Sequence, residues 1–244
     1  MLIILKIGYC ELQINSQFYY VRASCAQIGV FMKYTLKPTD LLIGLLFTLF
    51  LISAGVVFTI NFRPLYYFDI DYLNIVEKSG FDKETIIKNY NALIHYSSPF
   101  FTGKLTFPTL AASDSGLFHF IEVKRIFNAF FYTFVSTMIA LIPIILYKHK
   151  KKDTSYLKVS SIVAVVLPTI VGLGCAINFD RAFVIFHKIF FRNDYWLFDP
   201  ATDPVITILP DTFFLHCAVL IIAFVLIGSL CLYLIATLLQ KRRS

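Results

Sequence analysis

The sequence predicts a mainly α-helical membrane protein: four transmembrane helices with a small extracytoplasmic α/β cap between helices 1 and 2. Three observations carry this: an apolar composition, four charge-free runs of spanning length, and Lys and Arg gathered at alternate ends of those runs. The 244 residues are 58% hydrophobic and 15% charged, whereas soluble chains hold roughly 45–50% apolar and about 25% charged residues. Mean hydropathy is +0.73. Such apolar content excludes disorder, and ten glycines and five cysteines are too few for a collagen or a disulfide scaffold.

A helix needs roughly 20 apolar residues to cross a hydrocarbon core. Leu41–Ile60, Phe127–Tyr147, Val159–Asn178 and Phe213–Leu239 qualify, and none contains Asp, Glu, Lys or Arg. Lys33 and Lys37 precede the first run, Lys148, Lys150, Lys151 and Lys152 lie between the second and third, and Lys241, Arg242 and Arg243 follow the fourth. With an even number of spans these groups share one face, which the positive-inside rule makes cytoplasmic. Both termini are then cytoplasmic. The net charge of +7 is a topology signal that also meets anionic lipid, so nucleic acid is not expected as a partner.

The chain divides into an N-terminal extension at residues 1–31, a first transmembrane helix within 32–60, an extracytoplasmic cap at 61–126, and helices 2–4 within 127–244, with an outer aromatic loop at 179–212. Residues 1–31 show no sustained apolar span and no helical period, and Met32 followed by two lysines and a span reads as an ordinary start. The extension is expected to be a start-site artefact.

In the cap, Asp82 is placed to cap a helix whose Ile86, Ile87, Tyr90, Leu93 and Ile94 share one face, with Phe81 stapled onto it. His95 falls on its solvated side. Lys104–Phe107, between Gly103 and Pro108, reads as a short strand, which makes the cap mixed α/β. After Ser113 and Asp114, either able to cap, the pattern from Leu117 to Phe127 runs into the second span, with His119 one or two turns outside the membrane and Glu122 at i+3 on its own face.

The loop at 179–212 is dense in aromatics suited to the membrane interface. Asp180, His187 and Lys188 would share the polar side of a short helix lying there. Asp199-Pro200 and Asp203-Pro204 are turn formers, and Asp211 is placed to cap the fourth span.

The inventory permits little other chemistry. Phosphate loops, the Gly-x-Ser-x-Gly elbow and metal-binding spacings do not occur, so neither metal nor cofactor is expected. Charge-free spans argue against an ion-coupled carrier. His119 and His187 remain, on two outer segments that end at headgroup level, each with carboxylates near enough in sequence to orient it, and imidazole suits proton transfer near neutral pH. His95, His149 and His216, on a solvated helix, in a cytoplasmic loop and at a span edge, are expected to tolerate replacement.

The run His119-Phe120-x-Glu122-Val123-Lys124, together with Phe186-His187-Lys188-Ile189-Phe190-Phe191 and Asn193-Asp194-x-Trp196-x-Phe198-Asp199-Pro200-x-Thr202-Asp203, resembles the lipoprotein intramolecular transacylase family, over residues 32–244. The resemblance implies a cell-membrane acyltransferase of low-GC Gram-positive bacteria that moves an acyl chain within a diacylglyceryl-modified lipoprotein. The chain would pass from the sn-2 ester to the α-amine of the N-terminal cysteine, giving the N-acyl S-monoacylglyceryl form. Two histidines, His119 and His187, would be catalytic, with Glu122, Asp199 and Asp203 supporting them; Glu122 stands where the family often has Asp. We assign His119 as the base and His187 as the group that holds substrate or stabilises the oxyanion, an assignment the sequence allows to be exchanged. The implied partners are the diacylated lipoprotein and membrane lipid, with the enzyme a monomer. The alternative is a four-span scaffold or lipid or peptide carrier acting through the outer cap.

Overall fold

The computed structural model describes residues 2–7, 10–15 and 20–25 by their backbone and residues 37–242 with their side chains. The first three segments, given no element by the sequence, form an antiparallel meander of β1 (Leu2–Ile7), β2 (Cys10–Asn15) and β3 (Tyr20–Cys25). Leu2 pairs with Asn15, and Asn15 with Tyr20.

Four helices are long and apolar enough to cross a membrane: α1 (Pro38–Asn61), α5 (Asp114–Lys150), α6 (Ser155–Ile177) and α9 (Asp211–Lys241). They contain the four expected runs almost whole, and the protein is multi-pass. Pro38 opens α1 where a missing N–H costs nothing. Asp211 falls inside the first turn of α9 and does not cap it. Helix α1 packs against α5, α6 and α9, and α6 against α9. Between helices in lipid, close approach and cross-helix hydrogen bonds replace hydrophobic drive. Accordingly Gly228 lies directly against Leu51, and the Ser229 hydroxyl donates to the Ser161 carbonyl at 2.6 Å.

At one end of the bundle the fully buried Asp40 binds Lys148 at 2.8 Å and the Ser155 hydroxyl at 2.6 Å, and Lys148 also meets Asp153 at 2.9 Å. Burial opposes the Asp153 charge, but the Lys148 and Ser155 hydrogen bonds outweigh it and hold that carboxyl far below the usual range. This network ties α1, α5 and α6 together at the end of the bundle where Lys37, Lys148, Lys150, Lys151 and Lys152 lie.

The opposite end carries the cap. It is built from α2 (Arg63–Tyr72), α3 (Ile75–Ser79) and α4 (Lys83–Tyr96), with α8 (Val205–Ile208) from the later loop inserted among them. Tyr66 is central: its ring stacks on Tyr90 at 3.6 Å and its hydroxyl donates to the Ile208 carbonyl at 2.6 Å. Helix α4 forms as expected, with Asp82 accepting from the Thr85 N–H and Ile86, Tyr90 and Leu93 buried.

The expected α/β cap is not found, because residues 61–126 hold no strand. The alternation at Lys104–Phe107 is real, since Leu105 and Phe107 are buried while Lys104 and Thr106 are exposed. A ladder needs a neighbouring extended segment to accept its hydrogen bonds, however, and here helix α4 lies alongside instead. Asn89 on that helix exchanges hydrogen bonds with the backbone and hydroxyl of Thr109, doing locally what a partner strand would have done.

Candidate active site

Helix α5 begins about three turns before its charge-free part. Ser113 caps it by accepting from the Gly116 N–H at 3.0 Å, and Asp203, buried in the later loop, accepts from the Ser113 N–H at 2.8 Å. Gly116 is required there, because a Cβ would collide with the Asp203 carboxylate. His119 lies on the next turn. It is eight residues, about 12 Å of helix, before Phe127, hence outside the membrane-spanning part.

His187 comes from α7 (Phe179–Phe190), which Asn178 caps by accepting from the Arg181 N–H at 2.8 Å. The expected short helix is present, with Ile185, Phe186, Ile189 and Phe190 exposed. His187 departs from the expectation: Asp180 and Lys188 are exposed, but His187 is turned inward.

The two imidazoles meet with ring centroids 6.0 Å apart, and only 5% of His119 and 8% of His187 is exposed. Aromatic rings surround the pair. Phe191 lies 4.6 Å from His119 and 5.5 Å from His187, Phe198 presents its edge to His119 at 5.4 Å, and Trp196 stacks on His187 at 4.6 Å. Burial first, and then the nearby His187, push the His119 imidazole down to about 4. Burial also lowers His187, against the Phe183 carbonyl and Asp211, which favour its charged form. Both rings are therefore neutral near pH 7.

The two rings differ in their second nitrogens. His187 Nδ1 sits 2.8 Å from the Phe183 carbonyl oxygen, which only accepts, so Nδ1 carries the proton and Nε2 a free lone pair. His119 Nδ1 is buried and, among the described residues, has no hydrogen-bond partner. An orphaned N–H is rarer than an orphaned lone pair, which favours the tautomer with the proton on Nε2.

The carboxylates set beside the histidines by sequence serve the loop. Glu122 does not touch His119 Nδ1; both its oxygens accept from the Asn193 amide at 3.1 Å, fastening the segment after α7 to α5. Asp199 accepts from the Ala201 N–H at 2.9 Å, closing the turn at Pro200. Asp203 joins that turn to the start of α5, as described above. The structure thus brings His119 and His187 together, with Glu122 one turn further along α5 and bound to Asn193, Asp203 one turn behind His119, and Asp199 in the adjoining turn.

A third histidine, read from the sequence as a replaceable residue at a span edge, has a buried partner. His216, near the start of α9, hydrogen-bonds through Nδ1 to both oxygens of the fully buried Asp69 at 2.8 and 2.9 Å. This pair joins the cap to the fourth span. Its one sequence signal is Asp69 itself, an acid amid Tyr67, Phe68 and Ile70.

Comparison with known proteins bears on this site. The family model described as lipoprotein intramolecular transacylase Lit matches residues 41–214. No curated protein sequence matches. Among solved structures, the membrane integral lipoprotein intramolecular transacylase Lit from Bacillus cereus is 38% identical, with a TM-score of 0.81 over 84% of this chain and 97% of that one. Two further structures of that protein, in which one histidine is replaced by arginine or by alanine, give TM-scores of 0.76 at the same identity over 84% of this chain, and cover 93% and 95% of theirs. The match in sequence spans most of the four-helix chain and the match in structure nearly all of the relative, so this protein belongs to the lipoprotein intramolecular transacylase family.

Proposed function

We propose that this transacylase moves an acyl chain from the sn-2 ester of a diacylglyceryl lipoprotein to the α-amine of its N-terminal cysteine, with His187 as base and His119 as oxyanion donor. The observation that carries the reading is the pair of neutral, buried imidazoles 6.0 Å apart, one with its tautomer fixed.

His187 Nε2 takes the proton from the amine as its nitrogen attacks the ester carbonyl, and returns it to the departing glyceryl oxygen. The Phe183 carbonyl stabilises the imidazolium formed in between. His119 is poorly suited to that task, since burial opposes its protonation with no hydrogen-bond acceptor at Nδ1 to offset it, whereas the Phe183 carbonyl offsets burial at His187. As a neutral ring it donates through Nε2 to the tetrahedral oxygen, the role that preorganised donors fill in acyl transfer. Geometry thus favours the exchange of the roles first assigned.

Nucleophile and ester arrive on one substrate, so holding them together supplies much of the rate and no acyl-enzyme is needed. An ester becomes an amide, a downhill exchange that requires no nucleotide. The lysine-rich end lies opposite the site, which by the positive-inside rule puts both termini in the cytoplasm and the histidines at the outer face. Glu122, Asp199 and Asp203 hold the loop and the start of α5, and the protein acts as a monomer with no cofactor. Purified protein in lipid, given a diacylated lipoprotein as sole substrate, should yield the N-acyl S-monoacylglyceryl form by mass spectrometry. Recovery of unchanged substrate alone would refute the reading.

A further inference from the structure

A neutral imidazole with a free Nε2 activates water as readily as an amine, so the same two histidines form an ester hydrolase unless something prevents it. With the amine as nucleophile, a C–N bond forms, the ester C–O bond breaks, and the nitrogen's proton ends on the glyceryl oxygen. With water, a C–O bond forms instead, and the products are a free fatty acid and the same glyceryl hydroxyl. The amine does not win by default. Its reference pKa of ~7.7–8.0 leaves most of it protonated at pH 7. It also reaches the ester through a medium-sized ring containing the flexible thioether, far from the rigid geometry that gives the largest intramolecular advantages.

The rings around the histidines come from two sources. Phe183 and Phe191 belong to α7 and the residue after it, and Phe198 stacks on Phe120 at 5.4 Å against the cap core. Trp196 is different: it is half-buried, sits on the loop, lies outside the cap core, and covers His187 face to face at 4.6 Å and 28°. Its segment is held at both ends. Asn193 is fastened to Glu122, and its side chain accepts from the Tyr195 N–H at 3.0 Å, while Tyr195 sets its edge on Phe118 at 5.6 Å and Asp199 closes the following turn.

Resting on the transacylase reading above, we propose that Trp196 determines the reaction's specificity by keeping water from the histidine pair, so that the acyl group passes to the amine and is not hydrolysed. A dry, shaped site of this kind prevents side reactions of an activated ester. Trp196 does not act on substrate charge or protons, so its removal alters partition between products and leaves the histidines in place.

The test measures free fatty acid and N-acyl lipoprotein together, using full-length protein in lipid with a diacylated lipoprotein carrying a labelled sn-2 chain. For Trp196→Ala the ratio of fatty acid to N-acyl product should rise by about tenfold or more, and Trp196→Phe, which restores a flat ring, should bring it back towards that of the parent. The ratio does not depend on how much protein folds, and Trp196→Leu, apolar but not flat, repeats the test if the Ala variant fails to accumulate. An unchanged ratio would overturn the proposal whether or not total turnover falls, and so would loss of both products. A parent protein that makes neither product would instead refute the transacylase reading.

Discussion

His187 Nδ1 donates to the Phe183 carbonyl oxygen, four residues back on the same helix, at 2.8 Å, which leaves Nε2 as the one unprotonated nitrogen of a ring turned towards His119. A base and a donor tolerate replacement differently. His187→Ala and His187→Gln should both lower kcat by about 10²–10⁴-fold, because neither side chain takes a proton.

His119→Ala should cost about 10²–10³-fold in kcat, the usual loss of an oxyanion donor, whereas His119→Gln keeps an N–H and should recover part of it. Side-by-side kcat values of the four variants check the assignment. A His187→Gln enzyme more active than His119→Gln would reverse the roles.

The pH dependence follows from the depressed histidines. The proposed reaction needs a neutral amine and a neutral base, so kcat/KM should fall about tenfold per pH unit below the amine's ~7.7–8.0. His119 stays neutral down to about 4 and His187 below the ordinary imidazole value, so no further break should occur near pH 6.5. Stability moves in the same direction. A histidine whose folded value is depressed costs nothing above the unfolded value, and its penalty grows as pH falls through 6.5 and is complete below about 4 for His119. A steepening of kcat/KM at pH 6.5 would show that the histidines are not depressed.

His216→Ala should destabilise the protein by roughly 3 kcal/mol, because it leaves the Asp69 carboxylate buried without its imidazole. Replacing both residues by leucine should recover much of that loss. Thermal unfolding in detergent measures both. A His216→Ala change within about 0.5 kcal/mol, the range of surface positions, would restore the original expectation that this histidine is dispensable.

Gly116→Ala should lower both stability and kcat, since the new methyl displaces Asp203 from the start of the His119 helix. Asp203→Ala should act in the same direction by about 1–3 kcal/mol, by removing the hydrogen bond that the half-buried Ser113 N–H gives to a carboxylate. Parent-like melting and turnover in Gly116→Ala would show that this junction does not position His119.

The four spans were legible because lipid imposes a long charge-free run, and α4 because a capping Asp82 precedes apolar residues at helical spacing. Lys104–Phe107 misled for a definable reason: alternation records which side chains face inward, and Leu105 and Phe107 do, but it cannot report whether a strand lies alongside to pair with. The inward turn of His187 and the Asp69–His216 bond were hidden for another reason. Each depends on which segments meet after packing, and His216 pairs with a residue 147 positions earlier in the chain. The histidines themselves stood out by type and position, whereas Glu122, beside His119 in sequence, turns to Asn193 across the loop.

In the proposed reaction the acyl chain passes from ester to amine within a single lipoprotein. Two diacylated lipoproteins distinguishable by mass, one with an isotopically labelled sn-2 chain, should be mixed with the purified protein in one membrane and their N-acyl products analysed by mass spectrometry. Label should appear only on the lipoprotein that first carried it. Transfer of label to the second lipoprotein at a rate comparable to turnover, or a trapped acyl-enzyme, would contradict it and place the protein among acyltransferases that use a covalent intermediate.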